Sequence, residues 1–264
     1  MSDPNTPSPT TSSQPAPCVS GPDSSFAGPK DNLISKDHGL AYWESVSADE
    51  NGMLGGIPSY AGFANTSKID LQGSRNFLAK FGIGSKANLK KCRRILEGGA
   101  GVGRITEGLL TELLNEEEGG KVDVVEPIAK FTAKLQGKKG VGKVYVMGLE
   151  EWVPEDSEED GGKYDLVWTQ WCVGHLTDEQ LVEYLKRCKS ALAEDGLIVI
   201  KENTTVLGTD DFDEEDSSVT RGEATFQKIF QAAGLKVVKA EFQKGFPQTR
   251  TMKLLPVRMY ALKP

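Results

Sequence analysis

Cysteine and histidine are scarce in this 264-residue chain, which holds four of the first and two of the second. Cys18, Cys92, Cys172 and Cys188 include no C-x-x-C pair, so neither a disulfide framework nor a zinc site is expected, and no metal. Long apolar runs are lacking too. No stretch comes near the roughly 20 residues a membrane span needs, and no apolar leader is visible, so no membrane partner is expected. Thiols without a pairing pattern suit a reducing compartment, cytoplasmic or nuclear. Basic residues are outnumbered, 31 against 38 acids for a net charge of −7. That balance argues against a nucleic-acid partner, whose phosphates call for clustered Lys and Arg, and favours a cationic one.

What is present begins with a composition break. Residues 1–36 hold seven of the thirteen prolines, many Ser and Thr, and almost no aliphatic side chains. Such a segment cannot bury enough surface to offset its ordering entropy and reads as a disordered tail. Residues 37–264 read as one domain, with 37–90 as a lid and helical extension and 91–264 as a core. Asn51-Gly-Met-Leu-Gly-Gly-Ile-Pro58 is expected to be a loop, and 69–81 an amphipathic helix through Leu71, Phe77, Leu78 and Phe81.

From there strands and helices alternate. Short apolar runs predict strands at 94–97, 121–126, 144–147, 164–168 and 197–200, with helices over 105–114, 127–135 and 177–192 between them. Thr177-Asp-Glu-Gln180 is a capping box ahead of Leu181, Leu185, Cys188 and Leu192. A last helix over 221–233, opened by a second capping box at Thr220-Arg-Gly-Glu223, is followed by strands at 235–238 and 257–261. Little chain remains for a crossover between those two, so the terminal strand should enter antiparallel. The result is an α/β fold with a seven-stranded, mostly parallel sheet. The acidic run at 155–160 reads as a solvated loop insertion.

Glu97-Gly-Gly-Ala-Gly-Val-Gly-Arg104 joins the first strand to the first long helix, where glycines allow a tight turn and a close approach of ligand to backbone. The nicotinamide fingerprint G-x-G-x-x-G is absent: counting from Gly99 and Gly101 its last glycine would be Arg104, and counting from Gly101 and Gly103 it would be Thr106. An acid followed by G-x-G-x-G resembles instead the first motif of class I S-adenosylmethionine methyltransferases, which have a Rossmann-like fold. That cofactor carries no pyrophosphate, but it has a carboxylate that Arg104 can pair with. Glu126, closing the second strand, is placed to accept the ribose hydroxyls.

The fourth strand runs into Trp168-Thr-Gln-Trp-Cys-Val-Gly-His175. Trp171 offers a flat apolar wall and Gln170 reaches toward the methionine part of the cofactor. His175 either takes a proton near neutral pH or only bonds the backbone. Six acids lie between Asp210 and Asp216. On charge alone they read as a solvated loop that prepares the next helix, against the alternative of a pocket for a cationic substrate.

Assembled in order, Gly52-Met-Leu-Gly-Gly56, Gly99-Ala-Gly-Val-Gly-Arg104, Gln170-Trp-Cys-Val-Gly-His-Leu176, Leu185-Lys-Arg-Cys188, Ile200-Lys-Glu-Asn203 and Asp216-Ser-Ser-Val-Thr-Arg221 resemble the eukaryotic protein α-N-terminal methyltransferases, above all their fungal members, over about residues 37 to 264. The resemblance implies methylation of the α-amino group of proteins that begin X-Pro-Lys after Met removal, with ribosomal proteins among the partners. It implies that Gly99, Arg104, Glu126, Leu149, Glu150 and Gln170 hold S-adenosylmethionine. Asn203 would fix the first peptide unit, Trp171 pack on the proline and Asp213 meet the lysine. Trp43 and Leu54 would close over the peptide, Ser218 would support it, and Asp216 and His175 would sit at the amine as first and second choice of base. Leu255 stands where the family carries a substrate-facing tyrosine. The competing readings are a small-amine or protein-lysine methyltransferase and a cofactor-binding module without turnover.

Overall fold

Seven of these segments pair into one sheet in a computed structural model that describes residues 28–155 and 162–264. They are β1 (Arg94–Gly98), β2 (Lys121–Val125), β3 (Val141–Tyr145), β4 (Tyr164–Gln170), β5 (Leu192–Asn203), β8 (Lys236–Phe242) and β9 (Val257–Lys263). The spatial order is β3-β2-β1-β4-β5-β9-β8. β1 to β5 pair in parallel, and β9 runs antiparallel to both its neighbours, β5 and β8. The seven-stranded Rossmann-like α/β arrangement read from the sequence is therefore the one observed. A separate hairpin joins β6 (Asp211–Asp213) to β7 (Ser218–Thr220).

Because strand side chains alternate, each central strand feeds two cores. Leu96, Val167 and Ile198 point to one face, where α5 (Asp178–Ser190) and α6 (Glu223–Ala232) cover them. Ile95, Leu166, Trp168 and Val199 point to the other, under α3 (Thr66–Ala79) and the 105–114 segment. α5 starts at the expected capping box, with Thr177 accepting from the Gln180 N–H and Gln180 from the Thr177 N–H. Its buried stripe is Leu181, Tyr184, Leu185 and Cys188. Each fully buried side chain of that kind contributes about 1.5–3 kcal/mol, which outweighs the exposed polar face.

Several expectations need correction. Residues 30–33, assigned to the tail, form a 3-10 turn, because Asp31 accepts the Asp178 N–H and the Ser35 N–H donates to the Ser217 hydroxyl; residues 1–27 of that tail lie outside the described residues. Residues 51–58 are not a plain loop. Asp49 accepts the Gly52 N–H at 2.8 Å and caps a one-turn helix, α2 (Glu50–Met53), which follows α1 (Lys36–Ser45). Residues 106–110 make a π-helical turn and 111–113 a 3-10 turn in place of a regular helix. The helix expected over 127–135 shortens to α4 (Ala129–Thr132). β3 begins three residues earlier than expected, because Asp123 accepts the Lys143 N–H and draws 141–145 onto β2.

Thr220 caps no helix. It is drawn into β7 opposite Asp211, and Asp210 accepts the Gly222 N–H and the Thr225 hydroxyl instead. The acidic run is thus a hairpin with a helix-start contact, not a solvated loop throughout. Of the expected 155–160 insertion only Glu155 is among the described residues; it accepts from Lys143 and Tyr145.

Candidate active site

The strand order reverses between β1 and β4, and the crevice above that point is where ligands settle in open α/β sheets. After β1 the chain turns through Gly99, Gly101 and Gly103 at φ of +69°, +54° and +91°. A Cβ at Gly99 would lie 2.4 Å from the Cys172 sulfur, and one at Gly103 would lie 2.3 Å from Leu135. Only glycine serves at both. A cavity with about 1090 Å³ of empty space opens beside the turn, and Gly99, Gly101 and Arg104 line it.

Glu126 lines the same cavity from the end of β2. Its two oxygens accept the N–H groups of Gly101 and Ile128, each at 2.9 Å, which ties the glycine turn to the second strand. Burial lifts its carboxyl above the usual carboxylate range, and those two N–H donors pull the other way. Leu149 and Glu150 follow β3 and also line the cavity, their carbonyls held by Arg187. Gln170 is less free than its position suggests. Its amide N–H reaches Asp70 at 2.9 Å and its oxygen accepts the Trp168 indole, which leaves one N–H and one lone pair for a ligand. Left-handed glycines, apolar walls, a carboxylate after β2 and a guanidinium fit the adenosine and amino-acid parts of S-adenosylmethionine.

The other end of the cavity is built from strained backbone. Among the described residues only Trp171 (φ +53°) and Ser217 (φ +57°) are non-glycines in the left-handed region, and both line this cavity. Such conformations persist only where the surroundings hold them and collect at functional sites. The Trp171 ring packs over Arg104 at 5.1 Å, and its buried indole N–H has no hydrogen-bond partner.

His175 sits on a 3-10 turn after β4, with its Nε2 3.9 Å from Asp216 Oδ2. The Trp43 indole donates to that same Nε2 at 2.9 Å. Burial holds His175 below the ordinary histidine value, against the pull of the Asp216 carboxylate. Burial also raises the Asp216 carboxyl, opposed by the Ser218 hydroxyl and His175. Asp216 Oδ1 is buried without a hydrogen-bond partner. The arrangement can take a proton from a group that enters beside Trp171.

Of the residues picked out from the sequence, Gly99, Arg104, Glu126, Leu149, Glu150, Gln170, Trp171, His175 and Trp43 come together on one cavity. Asp216 joins them through His175. Asn203 ends β5, and Asp213 and Ser218 face each other across the β6–β7 hairpin; none of the three lines the cavity itself. Leu54 does not either. It is 5 % exposed and packed inward, and its neighbour Met53 takes the place at the cavity, beside Gly101. Sequence reading missed Asp70. Its signal was a carboxylate in phase with Ser74, Phe77 and Leu78 on the buried face of α3.

Comparison with known proteins agrees with this geometry. A family model described as AdoMet-dependent proline di-methyltransferase matches residues 31–263. An alpha N-terminal protein methyltransferase from Schizosaccharomyces pombe is 40 % identical over 85 % of this chain and 94 % of its own length. An N-terminal Xaa-Pro-Lys N-methyltransferase from Xenopus tropicalis is 39 % identical over 78 % of this chain and 87 % of its own. Among solved structures, a Leishmania major SAM-dependent methyltransferase superposes with a TM-score of 0.71 at 33 % identity, covering 86 % of this chain and 82 % of that one. A cavity shaped for S-adenosylmethionine, a His175–Asp216 pair at its far end and a family match over nearly the whole described chain lead to one conclusion: the chain belongs to the AdoMet-dependent proline di-methyltransferases, a family of S-adenosylmethionine-dependent methyltransferases.

Proposed function

We propose that the enzyme methylates the α-amino group of proteins that begin X-Pro-Lys once the initiator Met is removed. The observation that carries this reading is one cavity with the glycine turn and Glu126 at one end and Trp171 and His175 at the other. S-adenosylmethionine, when bound, supplies an activated methyl group on a sulfonium. What remains for the protein is to hold an unprotonated amine in line with it.

An α-amine has a reference pKa of about 7.7 to 8.0, far below that of lysine, so a weak base suffices near pH 7. Asp216 is that base. Its carboxyl is lifted by burial and keeps one oxygen without a partner. His175 has its Nε2 lone pair occupied by Trp43 and so stands behind Asp216. Trp171 provides the aromatic wall for a second-position proline, whose fixed φ and missing N–H suit a flat apolar contact. Asn203 and Ser218 hold the peptide backbone, and Asp213 takes the lysine ammonium. Residues 37–90 act as a lid on the 91–264 core, with Trp43 closing over the peptide. Ribosomal proteins with this N-terminus are the partner class, in the cytoplasm or nucleus, where the free Cys92, Cys172 and Cys188 stay reduced.

A Ser-Pro-Lys peptide incubated with S-adenosylmethionine should gain 14 Da increments on its α-amine by mass spectrometry. Methylation that persists after acetylation of that amine would assign the enzyme to lysine or small amines. No product despite cofactor binding would leave a binding module.

A further inference from the structure

Against two side chains of the cavity lies a buried charge cluster whose Asp70 and Lys201 the reaction described above does not use. The Asp70 side chain, on α3, is fully buried. Its carboxylate is met by Arg104 Nη1 at 2.9 Å, Gln170 Nε2 at 2.9 Å and Lys201 Nζ at 2.5 Å. Lys201, on β5, is fully buried as well and also donates to the Asp70 carbonyl (3.0 Å), the Ser74 hydroxyl (2.9 Å) and Gln243 Oε1 (2.9 Å). One carboxylate therefore fixes two side chains of the cofactor cavity from an element outside the Rossmann-like core.

Charge counting sharpens the point. Arg104 and Lys201 bring two positive charges and Asp70 one negative. Burial works against the Asp70 charge, but Lys201 and Arg104 beside it prevail and keep its carboxyl below the usual range. Burial lowers Lys201 to about 8 against the pull of Asp70, so its ammonium persists at pH 7. Glu97, a further acid whose field reaches Arg104, is neutral there, its carboxyl pushed up to about 8 by burial. One positive charge is left over in a buried place, where an unpaired charge is costly. Arg104 is the charged member of the cluster that lines the cavity.

We propose that Asp70 and Lys201 are positioning residues for the amino-acid end of S-adenosylmethionine: Asp70 holds Arg104 and Gln170 in place, and Lys201 balances Asp70 so that Arg104 keeps its charge for a ligand carboxylate. This rests on reading Arg104 as the partner of that carboxylate. Without Lys201, Asp70 neutralises Arg104 and the site loses its excess charge. With both Asp70 and Lys201 made neutral, the excess returns.

The test is calorimetric, on the full chain at pH 7, with S-adenosylhomocysteine and its decarboxylated analogue as probes. The parent enzyme should prefer the carboxylate-bearing probe by about tenfold to a hundredfold, the weight of one charge-assisted hydrogen bond. Lys201→Met should reduce that preference to about threefold or less, and Asp70→Asn with Lys201→Met should restore most of it, by the same charge arithmetic. A purely structural role would weaken both probes alike. A parent preference that persists undiminished in Lys201→Met overturns the inference and leaves the Arg104 reading intact. A parent that does not discriminate between the probes overturns both. Should Lys201→Met fail to fold, the double variant decides: retained preference supports the inference and lost preference overturns it.

Discussion

Replacing Trp43 by Phe removes the indole N–H that donates to His175 Nε2 across 2.9 Å. That donor favours the neutral ring, because an imidazolium has no lone pair at Nε2 with which to accept it. Burial already acts in the same direction. A neutral hydrogen bond contributes about 0.5–1.5 kcal/mol, and one pKa unit corresponds to about 1.36 kcal/mol. The His175 pKa should therefore rise by about 0.4 to 1.1 in Trp43→Phe, and water admitted by the smaller ring adds to the rise. The freed nitrogen faces Asp216 Oδ2 at 3.9 Å, so the new imidazolium stabilises the Asp216 carboxylate and makes it a weaker base. Turnover should therefore fall on the acid side of the pH profile, where that imidazolium forms, although Asp216 is untouched. Imidazole NMR reads the effect directly, since His38 and His175 are the chain's two histidines and their signals are told apart by substituting His38. A His175 pKa that stays put or drops in the folded variant would refute the idea that Trp43 holds the ring neutral.

Asp216→Asn should lower turnover on a Ser-Pro-Lys peptide by about 10²- to 10⁴-fold, the usual weight of a general base, while calorimetry finds S-adenosylhomocysteine affinity unaltered; turnover at the parent rate would transfer the base role to His175. Glu97→Gln addresses stability. The Glu97 carboxyl is pushed from 4.5 up to about 8 by burial, with the Thr106 hydroxyl opposing, so between those pH values the folded state holds a proton that the unfolded state has lost. Stability from this residue thus falls as pH rises from 4.5 to 8, and glutamine, which cannot ionise, escapes the loss. The variant's Tm should gain on the parent's by several degrees between pH 5 and pH 8.5, whereas a constant gap across that range would show that Glu97 is ionised in the fold.

The sheet and the cofactor end of the site were legible because they rest on local pattern. Runs such as Leu197 to Ile200 leave a strand few alternatives, and the glycines at 99, 101 and 103 mark left-handed turns by residue type alone. The failures share a different physics. Thr220 looked like a helix cap, but cross-strand pairing with Asp211 claimed it and Asp210, ten positions away, took over at the helix start. Leu54 and Met53 differ by one step along a helical turn, so which of them reaches the cavity depends on how that turn is seated and not on either residue's chemistry. Asp70 shows the limit most clearly. Its partners Arg104, Gln170 and Lys201 lie 34, 100 and 131 positions away, and no local pattern reports such a meeting. His175 stood out by residue type, but its pairing with Asp216 came through family motifs, since neither burial nor distance can be read from spacing.

The placement of β9 between β5 and β8 has a consequence for how the molecule is made. β9 is synthesised after every other strand yet occupies an interior position in the sheet. Until residues 257–263 leave the ribosome, β5 presents an open edge and β8 has nothing to pair with, and an open edge invites pairing with other chains. The cofactor cavity, built on strands that emerge much earlier, can take shape while that edge is still bare. A nascent chain stalled or cut short before position 257 would then be a near-complete binding pocket attached to an aggregation-prone sheet.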